Sequence, residues 1–531
     1  MLLIRILIFS LSTVFLLGCD SLPMKLNRKY LRLNLQEGDP ATLHPHRGLS
    51  LQCVSLEKAL YEGLTRLNHE GIPDLALAKA YEVSPCKTIY TFYLRESKWS
   101  NGANVTAHHF EAAWKEALKP DADCLRSEFF YPIKHAQKAK EGKLSLDAVG
   151  VTAADDYTLV VVLENPTPYF LELTSAPLYS PLYDATVVEP TVFNGPFQIK
   201  IWERENHLCL TKNPYYWDSQ SVLIEGIDVA MVKDPETALA MYEQDAIDCV
   251  GDPFGTLPFD VLPHYAALGS LKKHQVSRVY WLVFNTEEFP FNSVNMRKAI
   301  SYAIDRTSLS EHVLFDQTPH MSPVPVSFSR LNENRIDHQL NHRLANAHFE
   351  MALEEFGLTR ETFPCLILSS PNTPGDRKIS ATLQRFLEKT LEIKVKLRGG
   401  ELKSYLTDLY QHNFEFGGSL KSALYGDPLY FLLFFRQKNE RINWSAWEDK
   451  RYQELLELAQ STAEQDEREV YLIEAEKILV DQMPATSLYV QNYFYLEHER
   501  VKGIYFTHLG YVDFKHVSLL TSAETTEQFL Q

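Results

Sequence analysis

Tyr90-Thr-Phe-Tyr-Leu-Arg-Glu-Ser-Lys-Trp-Ser-Asn-Gly102, followed by Val105-Thr-Ala107 and Phe110, is the stretch from which the architecture can be read. Tyr90, Phe92 and Leu94 alternate with Thr91, Tyr93 and Arg95, the period of two that a half-buried strand requires. Asn101-Gly102 marks a tight turn. Thr106 can then cap a helix, and Phe110, Ala113, Trp114, Ala117 and Leu118 follow at i, i+3, i+4, i+7 and i+8 until Pro120 stops it. Strand, turn and amphipathic helix in one short run predict a mixed α/β chain.

The same alternation continues outward. Leu159 to Leu163 is a β-rich run ended by Asn165-Pro166, and Asn194-Gly195 opens a strand pair in which Phe197, Ile199 and Ile201 are expected to point one way. Helices are expected over Met296–Asp305 and over Leu344–Phe356, the latter closed by Gly357. Further helices are expected at Ser380–Thr390, Tyr452–Ala459 and Glu469–Val480, with a strand at Ile393–Leu397. No Gly/Ser- or Pro-rich linker and no solenoid-length repeat interrupts this pattern. A long chain without linkers suits domains built from separated segments.

The 531 residues are enough for two to four structural units. Apolar residues at 45% and aromatic residues at 12% exclude a disordered or fibrous chain. With 52 Lys and Arg against 69 Asp and Glu the net charge is −17, which repels a phosphate backbone and argues against nucleic acid as a partner. At the N-terminus, Arg5 precedes an apolar run from Ile6 to Leu17, too short to span a bilayer and fitting an export signal. Leu16-Leu17-Gly18-Cys19 resembles a bacterial lipobox, so residues 1–18 are expected to be removed and Cys19 lipidated. The expected location is the periplasm or cell surface, tethered to the membrane.

Six cysteines remain beyond Cys19: Cys53, Cys86, Cys124, Cys209, Cys249 and Cys365. None forms a C-x-x-C pair, and no pairing can be chosen from sequence. There is no G-x-S-x-G, H-E-x-x-H, P-loop or G-x-G-x-x-G motif. His44-Pro45-His46 and His108-His109 are residue types that ligate metals, but adjacent helical residues point about 100° apart, so capping or surface roles are preferred. No catalytic residue, metal or cofactor is assigned, and a binding protein is favoured over an enzyme.

Several segments together resemble the family 5 extracellular solute-binding proteins, the oligopeptide- and dipeptide-binding components of ABC importers. They are Asp39-Pro-Ala-Thr-Leu-His-Pro-His46, Leu60-Tyr-Glu-Gly-Leu64, Leu77 to Ser84, the Tyr90–Gly102 block, Asn194-Gly-Pro-Phe197, Lys212 to Trp217, Ile247-Asp248, Phe284-Asn285, Pro290-Phe291, Met296 to Ala299, Tyr302 to Arg306, Tyr425 and Asp427-Pro428. The resemblance implies a two-lobed, three-domain periplasmic-binding-protein-like α/β fold with a discontinuous first domain and a hinged cleft. Domain I would comprise 19–50, 180–281 and 496–531, domain II 51–179, and domain III 282–495. It also implies a monomer that binds an extended peptide or peptide-like ligand by strand-like main-chain hydrogen bonds and delivers it to a permease in the inner membrane.

One departure bears on the ligand. In peptide-binding relatives an Asp just before the tyrosine of the Tyr425 segment pairs with the ligand's α-amino group; here Leu424 stands there. A relatives' Arg is matched by Gly418 and a Trp by Lys421. Removing one partner of a buried charge pair costs roughly 2–5 kcal/mol. Another carboxylate (Asp427, Asp252 or Asp39) takes the amine, or the ligand has a blocked N-terminus, or the solute is not a peptide. Tyr280, Trp281 and Tyr425 are the expected cleft wall, with Asn194-Gly195 and Gly251-Asp252 beside them.

Overall fold

The computed structural model describes residues 29–48, 50–331 and 340–520. The export signal, Cys19 and the end of the C-terminal tail lie outside the described residues. In chain order the elements that matter are β1 (Tyr30–Asn34), α1 (Leu51–Leu60), β2 (Ala78–Val83), β3 (Ile89–Leu94), α2 (Ala107–Ala117), β4 (Val151–Asp155) and β5 (Thr158–Val162). Then come β6 (Phe197–Glu203), β7 (His207–Lys212), β8 (Gly226–Ala230), β9 (Cys249–Gly251), β10 (Lys272–Phe284), α3 (Val294–Tyr302) and α4 (His342–Phe356). The last are β11 (Leu366–Pro371), α5 (Pro374–Leu391), β12 (Val395–Gly400), α6 (Leu402–Tyr410), β13 (Phe416–Ser422), α7 (Lys450–Ser461), α8 (Gln465–Gln482) and β14 (Ala485–Glu497).

Three main sheets result. One has the order β1-β8-β7-β6, a second β2-β3-β5-β4, and the third β9-β14-β10-β13-β11-β12. The second is antiparallel throughout, and it contains the quoted Tyr90–Leu94 strand with Tyr90, Phe92 and Leu94 inward. Against it packs α2, whose Phe110, Ala113 and Trp114 are fully buried; Trp114 Nε1 donates to the Tyr179 carbonyl at 2.9 Å. The expected cap at Thr106 forms with a twist: its N–H donates to Nδ1 of His109, three residues on, at 3.0 Å. In the third sheet β13-β11-β12 is parallel, and α5 covers it through a stripe that includes Ile379, Leu383 and Leu387. At the end of α4, Gly357 takes the left-handed conformation that favours glycine.

One expected pattern is corrected. Phe197 and Ile199 do not share a face with Ile201, because a bulge lies between Ile199 and Ile201: these pair with the consecutive residues Leu210 and Cys209. The extra residue turns the strand, and Ile201 ends 41% exposed.

β10 and β14, 13 residues each, connect two interiors. Val276 and Tyr493 belong to the core under the first two sheets, whereas Tyr280, Leu282 and Leu488 belong to the core of the third. Their ladder slips at the crossing: Gln275 opposes Asn492, yet Val279 opposes Val490. Other segments satisfy the slipped stretch, as Ser277 N–H donates to the His508 carbonyl at 2.7 Å and Ala423 N–H to the Ser277 carbonyl at 2.8 Å.

Candidate functional site

The turn after β13 carries Leu424, Tyr425 and Asp427, and it is fastened on two sides. The Tyr425 ring stacks on Tyr169, 4.3 Å between centroids and 6° between planes. Gly426 N–H donates to Glu172 Oε1 at 2.8 Å. On the other side the Asp427 carboxylate accepts both Arg468 terminal nitrogens of α8 at 2.9 Å and the Leu429 N–H at 2.9 Å. Asp427 is therefore held in an ion pair that is 2% exposed on the arginine side and 8% on the acid side. An open amine acceptor does not describe it.

Beside this turn is a cavity of about 110 Å³. Its walls come from remote segments: Leu51, Val54 and Glu57 of α1, Arg126 and Phe129, Glu172 with Ala176 to Leu178, Ser422 to Leu424, and Leu509 with Tyr511. Most of this lining is apolar, with three charged side chains converging, the usual composition of a small-ligand site. Glu57 is 1% exposed, and burial raises its carboxyl to about 8 against the opposing pull of Arg126. Glu172 Oε1, besides the Gly426 N–H, lies 3.2 Å from His508 Nε2.

Of the other expected residues, only Leu424 lines this cavity. Tyr280 and Trp281 alternate across β10 into opposite interiors. Tyr280 stacks on Tyr489 and donates its hydroxyl to Asp376 at 2.8 Å, while Trp281 donates to the Pro323 carbonyl at 2.8 Å among Phe431, Phe434 and Phe435. Asn194 clamps the backbone of Glu62, accepting its N–H at 3.1 Å and donating to its carbonyl at 2.9 Å. Gly195 N–H bonds Leu60, and a Cβ there would fall 2.6 Å from the Leu60 carbonyl carbon. Asp39 accepts from Trp202 Nε1 at 2.7 Å and from Arg204 at 3.3 Å. Asp252 extends the β9–β14 ladder, its N–H to the Phe494 carbonyl and its carboxylate from the Phe494 N–H; burial raises its pKa to about 7, opposed by that N–H and by Arg278.

Sequence reasoning missed Glu57, Arg126, Glu172 and the surroundings of Lys421. The Lys421 ammonium sits 3.2 Å from the ring centroid of Trp444 and 4.7 Å from that of Phe434, and burial pushes its pKa well down. The space between these rings is thus filled by the chain's own Lys421 side chain. For Glu57 a signal existed: it is the acid of a helix in which nine of ten residues are buried, three and six positions beyond the cavity-lining Val54 and Leu51.

His44 and His46 are both buried, their ring centroids 5.2 Å apart, and burial lowers their pKa values to about 4 and about 3. Among the described residues no group of three or more His, Cys, Asp and Glu is placed to hold a metal ion, and all six described cysteines are free thiols.

Comparison with known proteins agrees with this architecture. The model of the bacterial extracellular solute-binding proteins, family 5 Middle, matches residues 73–443. The oligopeptide-binding protein OppA of Bacillus subtilis (strain 168) is 34% identical over 503 residues, covering 92% of this chain and 92% of that one. The unliganded open form of the periplasmic murein tripeptide-binding protein MppA has a TM-score of 0.78 at 24% identity, covering 94% of this chain and 98% of the other. Peptide-bound OppA of Listeria monocytogenes has a TM-score of 0.74 at 28% identity, with 93% and 99% covered. The likeness is one of two-lobed α/β fold over nearly the whole chain.

Proposed function

We propose that this chain, which belongs to the bacterial extracellular solute-binding proteins of family 5, captures an oligopeptide or peptide-like solute between its lobes and delivers it to an ABC permease. Members of this family bind solute and do no chemistry on it, so the protein is not an enzyme. The observation that carries the reading is the cavity at the Leu424 turn, walled by segments from distant parts of the chain and therefore complete only when those parts are together.

In this reading 19–50, 180–281 and 496–531 form one domain, 51–179 a second and 282–495 a third. β10 and β14 act as the hinge, since they are the long strands shared by two cores. Cys19 carries the lipid that holds the protein at the membrane, in the periplasm or at the cell surface, and the chain works as a monomer. Leu424 supports a second reading, in which the solute is an N-terminally blocked peptide or is not a peptide.

Mass spectrometry of material released from the purified protein separates the two: recovered peptides support the first, and recovered non-peptide or blocked species the second. Peptides of a bound pool should also raise the melting temperature, because a ligand that binds only the folded state stabilises it by RT ln(1 + [L]/Kd). A Cys19→Ala protein that still partitions with membranes would remove the anchor from the proposal.

A further inference from the structure

The cavity beside Leu424 contains one acid that the fold leaves without a role. Glu57 projects from the face of α1 that also presents Leu51 and Val54 to the cavity. Its Oε1 is buried and has no hydrogen-bond partner among the described residues. Buried acceptors are ordinarily satisfied, and an unsatisfied one lowers stability, so its retention points to a partner that arrives with a ligand.

The neighbouring acids are engaged elsewhere: Glu172 with Gly426 and His508, Asp427 with Arg468, Asp39 with Trp202 and Arg204. At about 110 Å³ the cavity admits the end of a ligand and not the length of an extended peptide. We propose that Glu57 receives a primary ammonium of the ligand in this cavity, reaching it from α1 where relatives are expected to reach it from the position of Leu424.

This inference rests on the peptide-binding reading. It also has a proton balance. In the empty cavity Glu57 holds its proton at neutral pH, faced by Arg126, Glu172 and Tyr511 across the cavity and by Cys53 and Tyr61 along its own chain. An entering ammonium favours the carboxylate, so the proton leaves to solvent as the ion pair forms, and no other group changes charge.

The test is calorimetric titration of the full mature chain and of its Glu57→Gln variant with tri-alanine, N-acetyl-tri-alanine and N-acetyl-Lys-Ala-Ala. Each is run in two buffers of different ionisation enthalpy. In the wild type an ammonium-bearing peptide should bind about 30-fold or more tighter than N-acetyl-tri-alanine and release close to one proton near pH 7. Glu57→Gln should erase both the preference and the release. Tri-alanine or the lysine peptide showing the effect identifies an α-amine or a side-chain amine as the source. The proton count needs only the wild type, so it decides even if the variant does not fold. Equal binding of all three peptides, or no proton release with either ammonium-bearing peptide, overturns the inference alone; no binding by any of the three overturns the peptide-binding reading with it.

Discussion

Glu57 is a buried ionisable side chain whose Oε1 has no hydrogen-bond partner among the described residues, and burial, opposed by Arg126, lifts its folded pKa to about 8 from its ordinary value of 4.5. A carboxyl with a raised folded pKa favours the folded state below the unfolded value, and that contribution is lost as pH rises to the folded one. The unliganded protein should therefore lose stability from this group between pH 4.5 and about 8. The loss is on the order of 5 kcal/mol at most. Urea unfolding of Glu57→Gln should show a flatter profile across that range; an unchanged slope would place the titration elsewhere. Asp427 is the opposite case, an acid whose buried cation is present. Asp427→Ala strands Arg468 and should cost about 3–5 kcal/mol in urea unfolding, because an unpaired buried charge is worse than none. Asp427→Ala combined with Arg468→Met should recover part of that loss.

At the scale of elements, the close approaches decide which substitutions the fold tolerates. The Asn194-Gly195 pair, read from sequence as a cleft candidate, instead docks the loop before β6 onto the end of α1. With a Cβ at Gly195 only 2.6 Å from the Leu60 carbonyl carbon and Tyr61 nitrogen, the clash is with backbone and has no rotamer to escape to. Gly195→Ala should destabilise by roughly 1–3 kcal/mol in chemical unfolding; a loss under about 0.5 kcal/mol would mean the loop shifts freely. The strand and helix from Tyr90 to Ala117 were legible because each buries one regular face, which leaves a period in the sequence. The Ile201 bulge was not, since an inserted residue leaves the composition of a strand unchanged while inverting everything after it.

At the scale of the whole molecule, two long strands join cores that otherwise share few elements, and the cavity draws its walls from the first of those cores and from the one that holds Val279 and Trp281. If lobe closure traps the solute, adding a bound peptide should reduce the radius of gyration in small-angle scattering, and the slip in the β10–β14 ladder is where the bend should concentrate. A Cys pair placed across the cavity should hold the contracted form without ligand; identical scattering profiles with and without a peptide that calorimetry shows to bind would remove closure. The α/β class, the principal strands and helices, their caps at Thr106 and Gly357, and membership of the family are legible along the chain, because periodicity, capping and motif order are local properties. The same reading singled out Leu424. What surrounds that leucine is set by the fold: the burial and the partners of Glu57, Asp427 and Lys421 come from remote segments, and no spacing within one segment encodes them.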